Sequence, residues 1–175
     1  KKTKASVMAK KDTTNQNKKF DEKNLDKLLE IKIIDAKKQK DWDDFITSHR
    51  SSNFLQSWDF YEFHKNMGHE IVRRVVVDNA GSIIGAYAGE VENAKRGRHL
   101  AVAGGPILDW KDKTVVSKVF EDMKEQGEKL NCTFVRVRPQ CEKNFESERI
   151  FTRGGFKKAP MYLSRLHHLL SLKEH

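Results

Sequence analysis

Residues 69–91 constrain the fold more than any other stretch of this chain. His69 to Asp78 is rich in β-branched residues (Ile71, Val72, Val75, Val76, Val77) and reads as a strand. Asn79-Ala80-Gly81 carries hairpin turn chemistry, and Ser82 to Val91 returns as a second strand. Gly85 and Gly89 within the return strand point to a bulge or a close backbone approach. A hairpin alone is marginal in water, so these strands need further strands or a helix against them.

The flanking sequence supplies both. Leu28 to Ile34 alternates as a first strand. Lys37 to His49 carries Trp42, Phe45 and Ile46 at helical spacing, and Ser51-Ser52-Asn53 breaks it. Ser57 to Met67 places Phe60, Phe63 and Met67 on one helical stripe, with Gly68 at a C′ position. His99 to Ala103 is a third hairpin-region strand running into Gly104-Gly105-Pro106. Asp112 or Thr114 caps a helix through Leu130 with Val115, Val116, Val119, Phe120 and Met123 on one face. Cys132 to Arg138 reads as a strand, Asn144 to Arg153 as a helix, and Phe156 onward as a closing strand. The fold class is α+β, with a mixed, mostly antiparallel sheet and flanking helices.

Composition bounds the rest. The 175 residues suit about one domain. No apolar run approaches the ~18 residues of a bilayer-spanning helix, and no apolar signal-peptide core stands near the start. Cys132 and Cys141 are too few for a disulfide scaffold or a four-ligand zinc site, which fits a reduced cytosolic protein. The net charge of +9 suggests a nucleic-acid binder until it is mapped. Residues 1–40 hold 13 lysines against 6 acidic residues, so they carry nearly all of the excess. Residues 1–24 read as a disordered basic tail, because they bury too little to offset their ordering entropy. The alternative is a polybasic arm for RNA or anionic lipid head groups. No aromatic residue stands ready to stack on a base before Phe20, which weakens the RNA version.

The element order is that of the GCN5-type N-acetyltransferase fold. The acyl-CoA phosphate loop of those enzymes, Arg/Gln-x-x-Gly-x-Gly/Ala at a helix start, is missing from the sequence. Gly104-Gly105-Pro106 has the wrong spacing, and Pro106 has no N–H to offer a phosphate. Four segments instead resemble the Fem family (FemA, FemB, FemX) of peptidoglycan-bridge aminoacyltransferases. They are Phe54-Leu55-Gln56-Ser57-Trp58 opening a helix, and Arg96-Gly97-Arg98 followed by Gly104-Gly105-Pro106-Ile107-Leu108-Asp109. Then come Phe134-Val135-Arg136-Val137-Arg138-Pro139 and Gly155-Phe156-Lys157-Lys158-Ala159-Pro160. The resemblance makes residues 25–160 the first of that family's two acyltransferase-like domains. Residues 161–175 form a tail with leucines at helical spacing that departs from the family's continuation into the second domain, as a truncated or frameshifted copy, or a genuinely short protein, would show.

The resemblance implies transfer of an amino acid from aminoacyl-tRNA to an amine of a peptidoglycan precursor stem, either lipid II or its UDP-linked muramyl peptide form. It implies aminoacyl-tRNA as donor substrate, no cofactor, no metal, and a cytoplasmic location at the inner face of the membrane, with peripheral contact to an anionic surface. By position the family's phosphate-facing lysine falls on His64. A neutral imidazole is a weaker phosphate ligand, so Lys65 is the neighbour that takes the role over. Arg96 and Arg98 are candidates for bidentate pyrophosphate contacts, or else a solvated basic turn. Arg136 matches the family's strand arginine. Arg138 stands where several relatives carry an acidic residue, and both alternate with Val135 and Val137. Gln56 and Trp58 complete the candidates, as substrate contacts or as residues that orient their helix. His167, His168 and His175 lack placed carboxylate or thiol partners, and no His-plus-acid order marks Cys141 as a nucleophile. The competing classes are a non-catalytic binding module and a stand-alone acyl-CoA N-acyltransferase.

Overall fold

The computed structural model describes residues 31–142 and 144–159. The expected basic tail over 1–24 and the helical spacing after 160 lie outside the described residues. Among the described residues, no helix is long and apolar enough to cross a membrane.

Among the described residues, six strands form one sheet. Strand β1 (Lys32–Asp35) pairs antiparallel with β2 (Ile71–Val77), and β2 with β3 (Ile83–Ala94). β3 then pairs with β4 (Gly97–Ala103) and, further back along its length, with β5 (Ile107–Leu108). β6 (Phe134–Arg138) runs parallel to β4 and completes the order β1-β2-β3-β4-β6. The direction change at β6 follows from the 17-residue helix between it and β5, because a parallel neighbour requires a crossover connection. The mixed, mostly antiparallel sheet with flanking helices is the α+β architecture that the pattern predicts.

Among the described residues, four α-helices flank the sheet: α1 (Gln39–Ser48), α2 (Trp58–Asn66), α3 (Lys113–Lys129) and α4 (Phe145–Arg153). Their starts are chemically marked. The Ser57 hydroxyl accepts the Phe60 N–H, Asp112 accepts the N–H groups of Thr114 and Val115, and Asn144 forms a capping box with Ser147. Gly68 ends α2 at φ +89°, a backbone state open to glycine at little cost.

The alternation of the strands sorts the core into two layers. Val72, Val76, Tyr87, Leu100, Val102 and Leu108 meet Val115, Val116, Val119, Phe120 and Met123 of α3. On the other face Val75, Ala86, Ala88 and Ile107 meet Trp42 and Ile46 of α1 and Tyr61 of α2. One polar cluster ties α3 to the sheet. Arg74 donates from Nε and Nη2 to the two oxygens of Asp122 (3.0 and 2.7 Å), and Tyr87 donates its hydroxyl to Asp122 (2.6 Å). Burial, and after it the Asp122 charge, push the Tyr87 hydroxyl well above its ordinary pKa.

Three boundaries differ from the sequence reading. β6 starts at Phe134 rather than Cys132, because the Cys132 N–H still bonds back to Gly127 O as the chain leaves α3. Residues 156–159 form no strand. The Phe156 N–H closes onto Phe151 O, and its ring packs against Phe120 and Phe151. The two-residue β5 is also new, and it arises from an interruption of the β4 ladder described next.

Candidate functional site

Between the Glu90–Ala101 pair and the Ala86–Ile107 pair, three residues of β3 (87–89) face five of its neighbour (102–106). This bulge strands backbone groups in the interior, and the Gln56 amide satisfies them. Its Nε2 donates to Ala88 O (3.1 Å) and Ala103 O (2.6 Å), while its Oε1 accepts the Ala88 N–H (2.8 Å). Tyr61 adds its hydroxyl to Ala88 O at 2.9 Å, and the Trp42 indole donates to Gln56 O at 2.9 Å. Burial pushes the Tyr61 hydroxyl well above its ordinary pKa, which keeps it a donor. A Cβ on Gly105 would lie 2.7–2.9 Å from the Gln56 amide, and one on Gly104, at φ +70°, would overlap the Asn53 side chain. Two of the sequence segments, around Gln56 and Gly104-Gly105, are therefore halves of one packed feature. Gln56 has no exposed surface and holds strands; it does not reach an outside ligand.

The end of α2 gathers a second group. Gly68 turns the chain so that the His69 N–H bonds back to His64 O (3.1 Å), bringing the two imidazoles to 5.3 Å between centroids. Both Nδ1 atoms converge on one oxygen of Glu90, at 2.7 Å for His64 and 2.8 Å for His69. Glu90 reaches them because it pairs with Ile71, two residues beyond His69. Sequence reasoning picked out His64 but missed His69 and Glu90. The signal lay in the spacing of two histidines across a glycine turn, and the third member of the group required the strand register.

From Glu90 a row runs across the sheet on the same face. The register pairs Glu90 with Ala101 and Ala101 with Arg136, so the Arg136 side chain leaves β6 on the face that carries His64 and Glu90. Arg136 is half-buried and Arg138 exposed beside it, while Phe134 stacks on His99 at 4.6 Å. Lys65 is exposed on α2, 3.4 Å from Glu62. Trp58 lies beneath the Arg73 guanidinium (4.2 Å) and meets Trp42 edge-on, so it anchors α2.

Arg98 is not brought to this face. It leaves β4 on the α3 side, where Nε donates to Leu130 O (2.9 Å) and Nη2 to Glu70 (2.6 Å). Arg96 is exposed in the β3–β4 turn. Burial pushes the thiols of Cys132 and Cys141 up, which disfavours their thiolate forms.

The α3 N-terminus follows Gly104-Gly105-Pro106, where a phosphate cradle would stand. Its first amides are taken by the Asp112 carboxylate, which also repels an anion.

This sheet, with α1 and α2 on one face and α3 on the other, defines the acyltransferase fold shared by N-acetyltransferases. The chain matches glucosamine-6-phosphate N-acetyltransferase from Arabidopsis thaliana with a TM-score of 0.56 and 14% identity, over 79% of this chain and 99% of that one. It matches an aminoglycoside 6'-N-acetyltransferase from Acinetobacter baumannii with a TM-score of 0.54 and 9% identity, over 79% and 99%. The FemAB family model matches residues 37–155, and the chain belongs to the FemAB family. The crystal structure of FemX aligns with a TM-score of 0.64 and 18% identity over 72% of this chain, which spans about a third (32%) of FemX. No curated protein matches the chain in sequence.

Proposed function

We propose that the chain forms the first acyltransferase-like domain of a Fem-type aminoacyltransferase. The enzyme moves an amino acid from aminoacyl-tRNA to a stem amine of a peptidoglycan precursor, lipid II or its UDP-linked form, at the cytoplasmic face of the membrane. The carrying observation is the FemAB match over residues 37–155, which spans both the α2 end and the β6 strand. In the reaction the amine nitrogen forms a C–N bond to the ester carbonyl, the C–O bond to the tRNA ribose breaks, and the amine proton passes to the ribose oxygen. Catalysis of such a step rests on positioning the pair and stabilising the oxyanion, with no cofactor consumed.

On this chain Arg136 and Lys65 are the cations best placed for precursor phosphates, on β6 and on the exposed side of α2. His64 contributes less as a free cation, because its Nδ1 is engaged by Glu90. Arg96 remains a candidate from the hairpin turn. Arg98 acts as a brace between β4 and the end of α3. The acyl-CoA reading draws support from the acetyltransferases whose full length the chain matches. Against it stands the α3 N-terminus already capped by Asp112.

Calorimetric titration separates the two readings. A UDP-linked muramyl peptide should bind and acetyl-CoA should not. Lys65→Ala and Arg136→Ala should each weaken precursor binding by ~1.5–3 kcal/mol, the scale of a charge-assisted contact. Tight acetyl-CoA binding with a silent muramyl peptide would establish the stand-alone acyltransferase instead.

A further inference from the structure

We propose that His64, His69 and Glu90 form a binding site for one divalent transition-metal ion of the zinc class. The ligand set is two imidazoles and one carboxylate, with ligand atoms within 4.8 Å of one another. All three side chains are partly buried, and Glu90 is the most enclosed at 12% exposure. They come from the last turn of α2, the turn after it and the middle of β3, so main-chain structure fixes each one. The rings of Phe60 and Phe63, at 4.5 and 5.6 Å, further restrict the His64 imidazole.

The geometry needs little change to accept an ion. At metal–ligand distances of about 2.0–2.2 Å, ligand atoms of a tetrahedral site stand about 3.3–3.6 Å apart. The two N···O contacts are 2.7 and 2.8 Å, so the groups open by about 0.5–0.9 Å as the ion enters. Each Nδ1 that donates to Glu90 must give up that proton, to Nε2 or to solvent, before its lone pair can ligate the ion. Imidazole with carboxylate selects the zinc, nickel and copper end of the divalent series over magnesium or calcium.

Three protein ligands leave a coordination position open. His69 and Glu90 also line an open groove of about 570 Å³ at the end of the β2–β3 ladder, where Glu70, Glu92 and Arg98 join them around the sheet edge. Three carboxylates against one guanidinium, itself paired with Glu70, make the empty groove favourable for a cation. Once loaded, the ion takes a water or an anionic oxygen in its open position. The inference concerns metal binding alone and does not rest on the proposed transfer reaction.

The test is a Zn²⁺ titration of the full chain in competition with a chromophoric chelator, with the ring resonances of His64 and His69 followed by NMR. One equivalent should bind, both ring signals should move together, and excess Mg²⁺ should not displace the ion. His69→Ala and Glu90→Gln, with folding checked by circular dichroism, should each weaken binding by about a hundredfold or more, beyond the ~10–100-fold of an outer partner. The double variant His167→Ala/His168→Ala should bind as the parent does. No stoichiometric binding, unmoved His64 and His69 signals, displacement by Mg²⁺, or loss only in the His167/His168 variant would each overturn the proposal. The NMR readout on the parent protein decides the matter even if both site variants unfold.

Discussion

On the α3 side of the sheet, apolar residues from four strands close against one long helix, and the buried charged cluster there is internally paired through Arg74, Asp122 and Tyr87. On the opposite side, α1 and α2 bury Val75, Ala86, Ala88 and Ile107, yet Phe134 and Arg138 stay exposed and Arg136 half-buried. The first face is organised for stability, and its polar groups are spent on one another. The second combines a packed half with a half whose cations face outward. Where a side chain falls between these two settings indicates its role better than its residue type does. Arg98 and Arg136 are both strand arginines, but Arg98 braces the closed side and Arg136 lies on the open one.

The largest effect should follow from opening the closed side. Asp122→Ala leaves the Arg74 guanidinium without its bidentate partner at 13% exposure, and removes the acceptor of Tyr87. Breaking a buried pair in this way costs ~3–5 kcal/mol. Urea unfolding should show that loss, and a cost below about 1 kcal/mol would mean that the remaining partners of Arg74, Asp35 at 2.6 Å and Ile33 O at 3.1 Å, suffice to hold it.

Next comes the bulge on the packed half of the other face. Gln56→Leu keeps the volume but deprives the Ala88 N–H and Ala103 O of partners. An unsatisfied buried group costs ~1–3 kcal/mol, so the melting temperature should fall clearly. A neutral outcome would show that the β3–β4 bulge can re-pair without the amide.

A smaller and pH-dependent effect belongs to both faces. Tyr61 and Tyr87 titrate above their ordinary value in the folded chain, chiefly through burial. Above the unfolded tyrosine value near pH 10, the unfolded chain gives up these protons while the folded chain keeps them. Stability is therefore intact below about pH 10 and falls as pH rises through that range, by up to ~1.4 kcal/mol per unit for each tyrosine. Tyr87→Phe should flatten the alkaline limb, and an unchanged slope would place the titration elsewhere.

Much of this division is legible in the sequence, because periodicity marks which residues are buried. The hairpin at 69–91, the α3 stripe from Val115 to Met123, the cap at Asp112 and the helix from Asn144 to Arg153 are local signals, and the structure follows them. Non-local features are hidden. Nothing in the spacing of Gln56 and Ala103 reveals that one amide spans them, and a one-residue register shift would turn Glu90 away from His64 and His69. The resemblance placed His64 and Arg136 in a common site without showing that Glu90 engages the histidine.

The smallest expected stability effect is at Arg136, and it tests the open side directly. Its neighbours Val135 and Val137 pack against the α3 core while Arg136 points the other way. Its half-buried side chain lies outside both core clusters, so Arg136→Ala should change unfolding free energy by no more than ~0.5 kcal/mol. A binding role predicts that this near-silent variant still loses affinity for a UDP-linked muramyl peptide. A stability loss comparable to that of Asp122→Ala would instead place Arg136 among the structural residues and erase the contrast between the two strand arginines.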